Sequence, residues 1–141
     1  MAAPRAVTLR AGCVALAGRG LLIMGASGSG KSGLALQLMA LGCDLVSDDY
    51  TEITPADGGL LARAPAAIAG RIEARGVGIL AATAVTARIV LAVDLDTEET
   101  DRLPPWRNTV IAGVDVALLH RVANTHFSAS IVQYLKAGRS A

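Results

Sequence analysis

The chain has 141 residues, of which 52% are hydrophobic and 18% are charged, and its formal net charge is +1. This length suits a single domain, residues 1–141, and the apolar fraction excludes an intrinsically disordered protein. Two cysteines are too few for a disulfide scaffold, and the small net charge predicts no nucleic-acid or membrane partner.

Short apolar runs bounded by glycine or turn residues predict strands in the first half of the chain. The predicted strands are Cys13–Leu16, Leu21–Met24, Thr51–Thr54 and Leu60–Arg63, with another that starts over Asp44–Val46. A helix is predicted over Lys31–Leu41, because its leucines recur at helical spacing and Gly42 follows as a stop signal.

The second half carries one strong strand signal, at Ile89–Val93. Glu98–Leu103 is predicted as one helical turn that ends at the following pair of prolines. The remaining predictions are strand pieces at Val110–Ala112 and Val116–Leu119 and a closing amphipathic helix over Ser128–Lys136. Together the elements predict an α/β fold with a mainly β sheet and few helices. None supplies the roughly 18 uncharged apolar residues of a membrane span, and no signal peptide is evident, so a cytoplasmic protein is expected.

Residues 25–32 fit the pattern G-x-x-x-x-G-K-[ST], the Walker A or phosphate loop, between a predicted buried strand and a predicted helix. They are Gly25, Ala26, Ser27, Gly28, Ser29, Gly30, Lys31 and Ser32. The glycines let several backbone N–H groups point at a phosphate, and the helix N-terminus adds partial positive charge. Lys31 supplies a full charge to the β- and γ-phosphates, and Ser32 supplies a hard oxygen for Mg²⁺. The motif therefore predicts a nucleotide site without naming a reaction.

Phosphoryl transfer also needs a carboxylate for the metal and a group that orients or deprotonates the nucleophile. Asp48 and Asp49 follow the strand after the predicted helix, and such neighbours repel each other unless a cation offsets their charge. In an extended segment they should point in opposite directions. Asp94, after the strand at Ile89–Val93, is a second candidate, although any buried strand that ends in a polar turn gives the same pattern.

Three blocks in this order resemble the HPr kinase/phosphorylase catalytic domain: GASGSGKSGLALQLMALG (25–42), LVSDD (45–49) and RIEARGVGIL (71–80). The chain is similar to the short, catalytic-domain-only forms of alphaproteobacteria. The resemblance implies an ATP-dependent protein serine kinase that uses Mg²⁺ and phosphorylates an HPr-like phosphocarrier protein of the phosphotransferase system. It also implies a homo-oligomer, commonly a hexamer.

The resemblance further implies a role for each matched residue. Asp48 would be the base that accepts the proton of the substrate serine, and Lys31 would hold the β- and γ-phosphates. Arg102 would correspond to an active arginine that follows the acidic stretch. The implied metal ligands are Ser32, Asp49 and Glu73.

Two positions depart from the family pattern. Arg10 stands where the family carries a histidine ahead of the phosphate loop, and arginine binds phosphate but cannot shuttle a proton near neutral pH. Residues 121–127, which include His126, replace a Pro-Gly-Arg-Asn string that is linked with the reverse, phosphorolytic reaction. The other histidine, His120, also lies far along the chain. Kinase activity is therefore expected, and phosphorylase activity is left open.

Three functions from different classes fit these observations. The first is the Mg-ATP-dependent protein serine kinase. The second is a small-molecule kinase with the same loop, which would normally need an arginine-rich lid and a longer chain. The third is a catalytically reduced nucleotide-binding module that regulates a partner. An assay with labelled ATP distinguishes these functions. Label on a phosphocarrier serine indicates the protein kinase, label on a small acceptor indicates the small-molecule kinase, and nucleotide binding without transfer indicates the regulatory module.

Overall fold

The chain forms a large mixed sheet with two helices on one face and a small hairpin beside it. The structure is a computed structural model that describes residues 5–141. Its strands within that range are β1 (Val7–Leu9), β2 (Gly12–Leu16), β3 (Arg19–Met24), β4 (Asp44–Ser47), β5 (Thr51–Ala56), β6 (Gly59–Arg63), β7 (Arg71–Ala74), β8 (Gly78–Ala81), β9 (Ala87–Glu98), β10 (Arg107–Ile111) and β11 (Val114–Arg121). Its helices are α1 (Lys31–Ala40) and α2 (Phe127–Ala137).

Strand β9 organises the main sheet, whose order is β1-β5-β6-β9-β3-β2-β4. It pairs in parallel with β3 along one edge. Along its other edge it pairs first with β6 in antiparallel fashion and then with β11 in parallel, and β10 follows β11. The carboxyl ends of the parallel strands β3, β9 and β11 therefore lie together, which is where open α/β sheets bind their ligands. Strands β7 and β8 form a separate two-stranded sheet.

The alternation of side chains along β3 explains the two halves of the core. Leu21 and Ile23 are fully buried on the face that α1 and α2 cover, whereas Leu22 is buried in the cluster on the opposite face. Such alternation is the period-two pattern of a strand that is buried on both sides. The core is aliphatic, and both cysteines are buried and free, so no disulfide links them. Neither helix of the described range is long and apolar enough to cross a membrane.

The predicted helical turn at Glu98–Leu103 is wrong. Strand β9 continues through Glu98, and residues 99–106 have no helix or strand. The Glu99 carboxylate accepts hydrogen bonds from the backbone N–H groups of Thr100 (3.1 Å) and Asp101 (3.2 Å), and these bonds hold the segment in a turn. Leu103 precedes Pro104, and a residue before proline is biased away from helical backbone geometry. The prediction that a strand ends at Val93 is wrong as well, because β9 runs on to Glu98.

A partly buried ion pair fixes this segment to β10. Arg107 donates to Glu99 from Nε (3.1 Å) and from Nη2 (3.0 Å), and the Glu99 side chain is only 7% exposed. The hydrogen bond from Arg107 lowers the pKa of the Glu99 carboxyl to about 2.

This pair predicts a loss of stability in acid. The pKa of Glu99 is lower in the folded state than the value of about 4.3 expected in the unfolded chain, so its contribution is full above about pH 4.3. That contribution disappears as the pH falls towards about 2. We expect Glu99→Gln to lower the thermal midpoint near neutral pH, and this deficit should shrink progressively in acid below the unfolded-state pKa. The control is Glu98→Gln, whose carboxylate has no ion-pair partner among the described residues; an equal effect of both changes near neutral pH would contradict the prediction.

Candidate active site

The phosphate loop joins β3 to α1 and takes a conformation that glycine makes possible. Gly25 has φ 152° and Gly30 has φ 102°, and L side chains rarely adopt either value. A Cβ atom at Gly25 would also lie 2.5 Å from Ser29 Oγ, so this position has no room for a side chain. The loop can therefore turn its backbone N–H groups inward at the start of the helix, as phosphate binding requires.

Lys31 is held inside this loop rather than extended into solvent. Its side chain is buried, and Nζ donates to the carbonyl oxygens of Gly25 (2.8 Å) and Ala26 (3.0 Å). The ammonium group is thus placed over the loop by two neutral acceptors. A compact cation in that position can exchange these carbonyls for phosphate oxygens.

Asp96 is a contact of the loop that the sequence interpretation missed. The Ala26 N–H donates to both of its carboxylate oxygens at 3.0 Å, across 70 residues of chain. Asp94 is engaged within its own strand instead, since it accepts from the Asp96 N–H (2.9 Å) and from Thr97 Oγ1 (3.0 Å). Asp96 therefore holds the start of the loop against β9. The cluster of acidic residues between 94 and 101 was the only sequence feature that pointed to this contact. The cluster does not reveal which of its carboxylates reaches the phosphate loop.

Asp48 connects two walls of the site. Its Oδ1 accepts a hydrogen bond from Ser32 Oγ at 2.7 Å, and its Oδ2 accepts one from the Glu73 N–H at 3.0 Å. The first bond reaches the start of α1 and the second reaches the β7–β8 hairpin. The orientation of the Asp48 carboxylate is therefore fixed by a hydrogen bond to each of its two oxygens.

The expectation that Asp48 and Asp49 point in opposite directions is wrong. Strand β4 ends at Ser47, so the two residues lie in a bend, and Asp49 has a left-handed backbone with φ 66°. Both residues line the same cleft. The Asp49 carboxylate lies 3.6 Å from Nε of Arg10, whose guanidinium is 5.9 Å from the centre of the Tyr50 ring. The two like charges share one cleft, and the positive charge of Arg10 partly offsets that of Asp49.

The cleft that contains these groups has a volume of about 650 Å³, and we call it the transfer cleft. Of the residues that the sequence predicted for the site, it is lined by Lys31, Ser32, Asp48, Asp49, Glu73 and part of the phosphate loop. Arg10 lines it as well. Arg102 and Asp94 are not among its lining residues, and Arg102 lies exposed in the segment 99–106. The metal role of Asp94 and the active role of Arg102 therefore have no support from their positions.

The transfer cleft carries hard oxygen donors that suit Mg²⁺. Ser32 supplies a hydroxyl, and Asp49 and Glu73 supply carboxylates on the same cleft. Within residues 5–141, no three His, Cys, Asp or Glu side chains are grouped closely enough to form a complete metal site. Mg²⁺ does not need such a group, because it is usually held by one or two protein ligands together with water and substrate phosphates. The donor set is consistent with an ion that binds along with a nucleotide.

The family model described as the HPr Serine kinase C-terminal domain matches residues 3–120. The chain belongs to this family. Its match spans the phosphate loop, the Asp48–Asp49 bend and the β7–β8 hairpin, which are the elements that form the transfer cleft.

Curated members of the HPr kinase family align with about half of the chain. The HPr kinase/phosphorylase of Clostridium beijerinckii is 46% identical over 70 residues, which are 50% of this chain and 23% of that protein. The HPr kinase/phosphorylase of Brevibacillus brevis is 52% identical over 64 residues, which are 45% of this chain and 21% of that protein. The chain thus aligns with less than a quarter of the length of these relatives.

A solved structure of the HPr kinase family supports the fold. The Hpr(Ser) kinase/phosphatase from Coxiella burnetii aligns with a TM-score of 0.76 and 22% identity, over 92% of this chain and 94% of that one. This likeness confirms the predicted α/β fold with a mainly β sheet and few helices.

The two histidines of this HPr kinase-family chain lie outside the transfer cleft. His120 Nδ1 is 3.9 Å from Glu99 Oε1, and His126 Nε2 is 3.0 Å from Asn124 Nδ2. Arg10 lines the cleft at the position where the family pattern has a histidine. The described residues therefore place an arginine, and no imidazole, beside the paired aspartates.

A second cleft, of about 520 Å³, lies on the other side of the phosphate loop; we call it the rear cleft. It is lined by loop residues Ser29 and Gly30, by Gln37 of α1, by Leu95 of β9 and by residues between β11 and α2. No motif in the sequence indicated it, because its walls come from distant parts of the chain.

Proposed function

We propose that this chain is the catalytic domain of a Mg-ATP-dependent protein serine kinase that phosphorylates an HPr-like phosphocarrier protein of the phosphotransferase system. The observation that carries the proposal is the position of Asp48, bonded to Ser32 of the phosphate loop and to the backbone of Glu73 in one cleft with Lys31. The names of the curated relatives support the choice of HPr as the substrate.

The proposed chemistry is a direct transfer. Asp48 takes the proton of the acceptor serine as the serine oxygen forms a bond to the γ-phosphorus of ATP, and the bond from that phosphorus to the β–γ bridging oxygen breaks with its electron pair leaving on ADP. Lys31 and the loop N–H groups stabilise the charge on the phosphate oxygens. Ser32, Asp49 and Glu73 would hold Mg²⁺, which neutralises negative charge on the β- and γ-phosphates when bound. The protein contributes position and charge, and Asp48 contributes the base.

We propose the kinase direction as the activity of this chain. Arg10 can attract an anion in the transfer cleft but cannot shuttle a proton as the family histidine would, and residues 121–127 replace the string that is linked with the phosphorolytic reaction. The phosphorolytic reaction is measured by mixing the phosphorylated acceptor with inorganic phosphate and following the release of pyrophosphate. We expect this reaction to be slower than phosphate transfer from ATP.

The proposal extends to the setting of the enzyme. Residues 1–141 would act as one catalytic domain in the cytoplasm, without nucleic acid or membrane partners, and would assemble as a homo-oligomer, a hexamer by family resemblance. Arg102 keeps its predicted role as an active arginine within this proposal. Light scattering of the purified protein measures the oligomer.

The decisive experiment mixes the purified chain, labelled ATP, Mg²⁺ and an HPr-like phosphocarrier protein. Label on a serine of the carrier supports the proposal, and a carrier with that serine changed to alanine is the control. Label on small acceptors alone would favour a small-molecule kinase. Nucleotide binding with no transfer to any acceptor would favour a regulatory module.

Asp49 is expected to act through the metal. Asp49→Asn should weaken nucleotide binding about tenfold in the presence of Mg²⁺ and change it little without Mg²⁺, because a coordinating charge is removed. Calorimetric titration of ATP with and without Mg²⁺ measures this difference. Asp44→Asn is the control, since it removes an exposed carboxylate of β4 that does not line the transfer cleft. If Asp48→Asn causes the same Mg²⁺-dependent loss, the pair is one metal site and the base must be sought at Glu73, the other carboxylate that lines the transfer cleft.

A further inference from the structure

The backbone on either side of Arg10 holds this residue beside the paired aspartates. Leu9 of β1 pairs with Thr51 of β5, and Thr51 Oγ1 donates a hydrogen bond to the Ala11 carbonyl at 2.7 Å. Thr51 and Ala11 are buried, and a hydrogen bond is stronger in such a place than in water. Arg10 therefore stands on a fixed backbone, from which its side chain lines the transfer cleft next to Asp49.

The contact of Arg10 with Asp49 is loose. Arg10 Nε lies 3.6 Å from Asp49 Oδ1, which is longer than the roughly 2.7–3.2 Å of an N–H···O hydrogen bond. The two side chains are 53% and 45% exposed, and an exposed ion pair contributes little to stability. The guanidinium can therefore turn away from Asp49 at small cost when another anion enters the transfer cleft.

The guanidinium of Arg10 has unused hydrogen-bond donors. Among the described residues its charged and aromatic contacts are the ion pair with Asp49 and the Tyr50 ring, whose centre is 5.9 Å away, and neither is a hydrogen bond. Arg107, by contrast, donates two hydrogen bonds to Glu99. A guanidinium presents five N–H donors in a planar fork that matches pairs of phosphate oxygens. Arg10 can thus bind an oxyanion without giving up a hydrogen bond.

The charged side chains of the transfer cleft are three cations and three anions. They are Arg10, Lys31, Arg75, Asp48, Asp49 and Glu73. Lys31 lies over the phosphate loop, where it donates to two carbonyls, and Arg75 lies in the exposed turn between β7 and β8. Of these three cations, Arg10 is the one that forms an ion pair with an aspartate of the cleft. Arg10 is therefore the cation on the side of the proposed base.

We propose that Arg10 is a catalytic arginine that donates hydrogen bonds to the oxygens of the phosphoryl group during its transfer; this role rests on the kinase function proposed above. In that reaction the serine oxygen forms a bond to the γ-phosphorus and Asp48 takes the serine proton. The bond from that phosphorus to the β–γ bridging oxygen breaks with its electron pair leaving on ADP. Arg10 offsets the negative charge on the other three oxygens of the moving group, stays protonated throughout and exchanges no proton.

This role differs from that of Lys31, which binds the β- and γ-phosphates of ATP before transfer as well. A group that acts on the phosphoryl in transit lowers the barrier without strengthening the binding of the substrate. We therefore expect Arg10→Gln to lower the single-turnover rate at saturating Mg-ATP roughly 100-fold. Mg-ADP binding should change by less than about threefold, because an exposed ion pair with Asp49 contributes little.

Binding of Mg-ADP together with aluminium fluoride gives a readout that does not depend on turnover. Aluminium fluoride has the planar shape and the charge of a phosphoryl group in transit, so its complex with Mg-ADP is a transition-state analogue. Calorimetric titration in the presence of the acceptor protein should show this complex bound roughly 100-fold more weakly by Arg10→Gln. Arg10→Lys keeps the charge and loses the planar fork, so its binding should be weakened less.

Arg19→Gln is the matched control, because Arg19 is an exposed arginine at the start of β3 that lines neither cleft. Transfer by Arg10→Gln at the wild-type rate would overturn the catalytic role of Arg10 and leave the kinase function intact. Equal weakening of Mg-ADP and of its aluminium fluoride complex would overturn it too, since Arg10 would then act on nucleotide binding. Absence of transfer by the wild type would instead overturn the proposed function, and the role of Arg10 with it.

Discussion

Asp48→Asn should abolish phosphate transfer to the acceptor serine and leave Mg-ATP binding nearly unchanged. Asparagine keeps the shape of the side chain but cannot take a proton, and a general base contributes about 10²- to 10⁴-fold to rate. The amide oxygen of the substituted side chain could still accept one of the two hydrogen bonds that Asp48 accepts from Ser32 and Glu73. Single-turnover transfer of labelled phosphate measures the rate, and calorimetry measures binding.

Asp44→Asn is the control for this change. Asp44 is an exposed residue of β4, the strand that leads to Asp48, and it does not line the transfer cleft. Transfer at more than about a tenth of the wild-type rate in Asp48→Asn, with an unchanged thermal midpoint, would show that another group is the base.

Lys31→Ala should lower the transfer rate by about 100- to 1,000-fold, because a preorganised donor to developing charge is lost. ATP binding should weaken as well, by roughly 10- to 100-fold, because this factor corresponds to the free energy that a hydrogen bond to a charged group contributes. Lys31 is the charged side chain of the phosphate loop, and its ammonium already lies over the loop carbonyls. Initial rates at saturating ATP separate the loss in transfer from the loss in binding.

The chain offers a matched control, since its other lysine is Lys136, exposed on α2. Lys136→Ala should transfer phosphate at the wild-type rate. Lys31→Arg should also transfer phosphate more slowly than the wild type, because a planar guanidinium is larger than the ammonium group that the loop surrounds. Full activity of Lys31→Ala would show that the phosphates bind elsewhere.

The parts of the site that could be predicted from sequence are those with local signals. Glycines next to Gly30-Lys31-Ser32 define a loop conformation and a helix start within a short stretch of chain, and the structure has both. Asp48 and Asp49 were predicted from their place after a strand and Glu73 from a short block of resemblance, and the fold brings all three to one cleft with Lys31. Short-range patterns also predicted most strands, since apolar runs between turns are typical of a buried sheet.

The parts that could not be predicted depend on contacts between distant residues. The bond from the Ala26 N–H to Asp96 joins residues 70 apart, and nothing in either segment indicates the other. The prediction of a helical turn at Glu98–Leu103 failed because β9 continues through Glu98 and the Glu99 side chain binds Arg107 of β10, a contact that the local sequence does not show. Arg102 lies outside the transfer cleft, and its role stays a prediction.

The double anchoring of Asp48 couples the proposed proton transfer to the hydrogen bond that holds the β7–β8 hairpin. As a carboxylate, Asp48 accepts the N–H of Glu73 through a charge-assisted bond, which is roughly twice as strong as a neutral one. In the proposed mechanism that bond weakens once Asp48 has taken the serine proton, so the β7–β8 hairpin would be held least firmly just after transfer, when the product must depart. Proton return to solvent would then close the wall for the next turnover. The proposed mechanism therefore predicts faster hydrogen exchange at the Glu73 amide when Asp48 carries the proton.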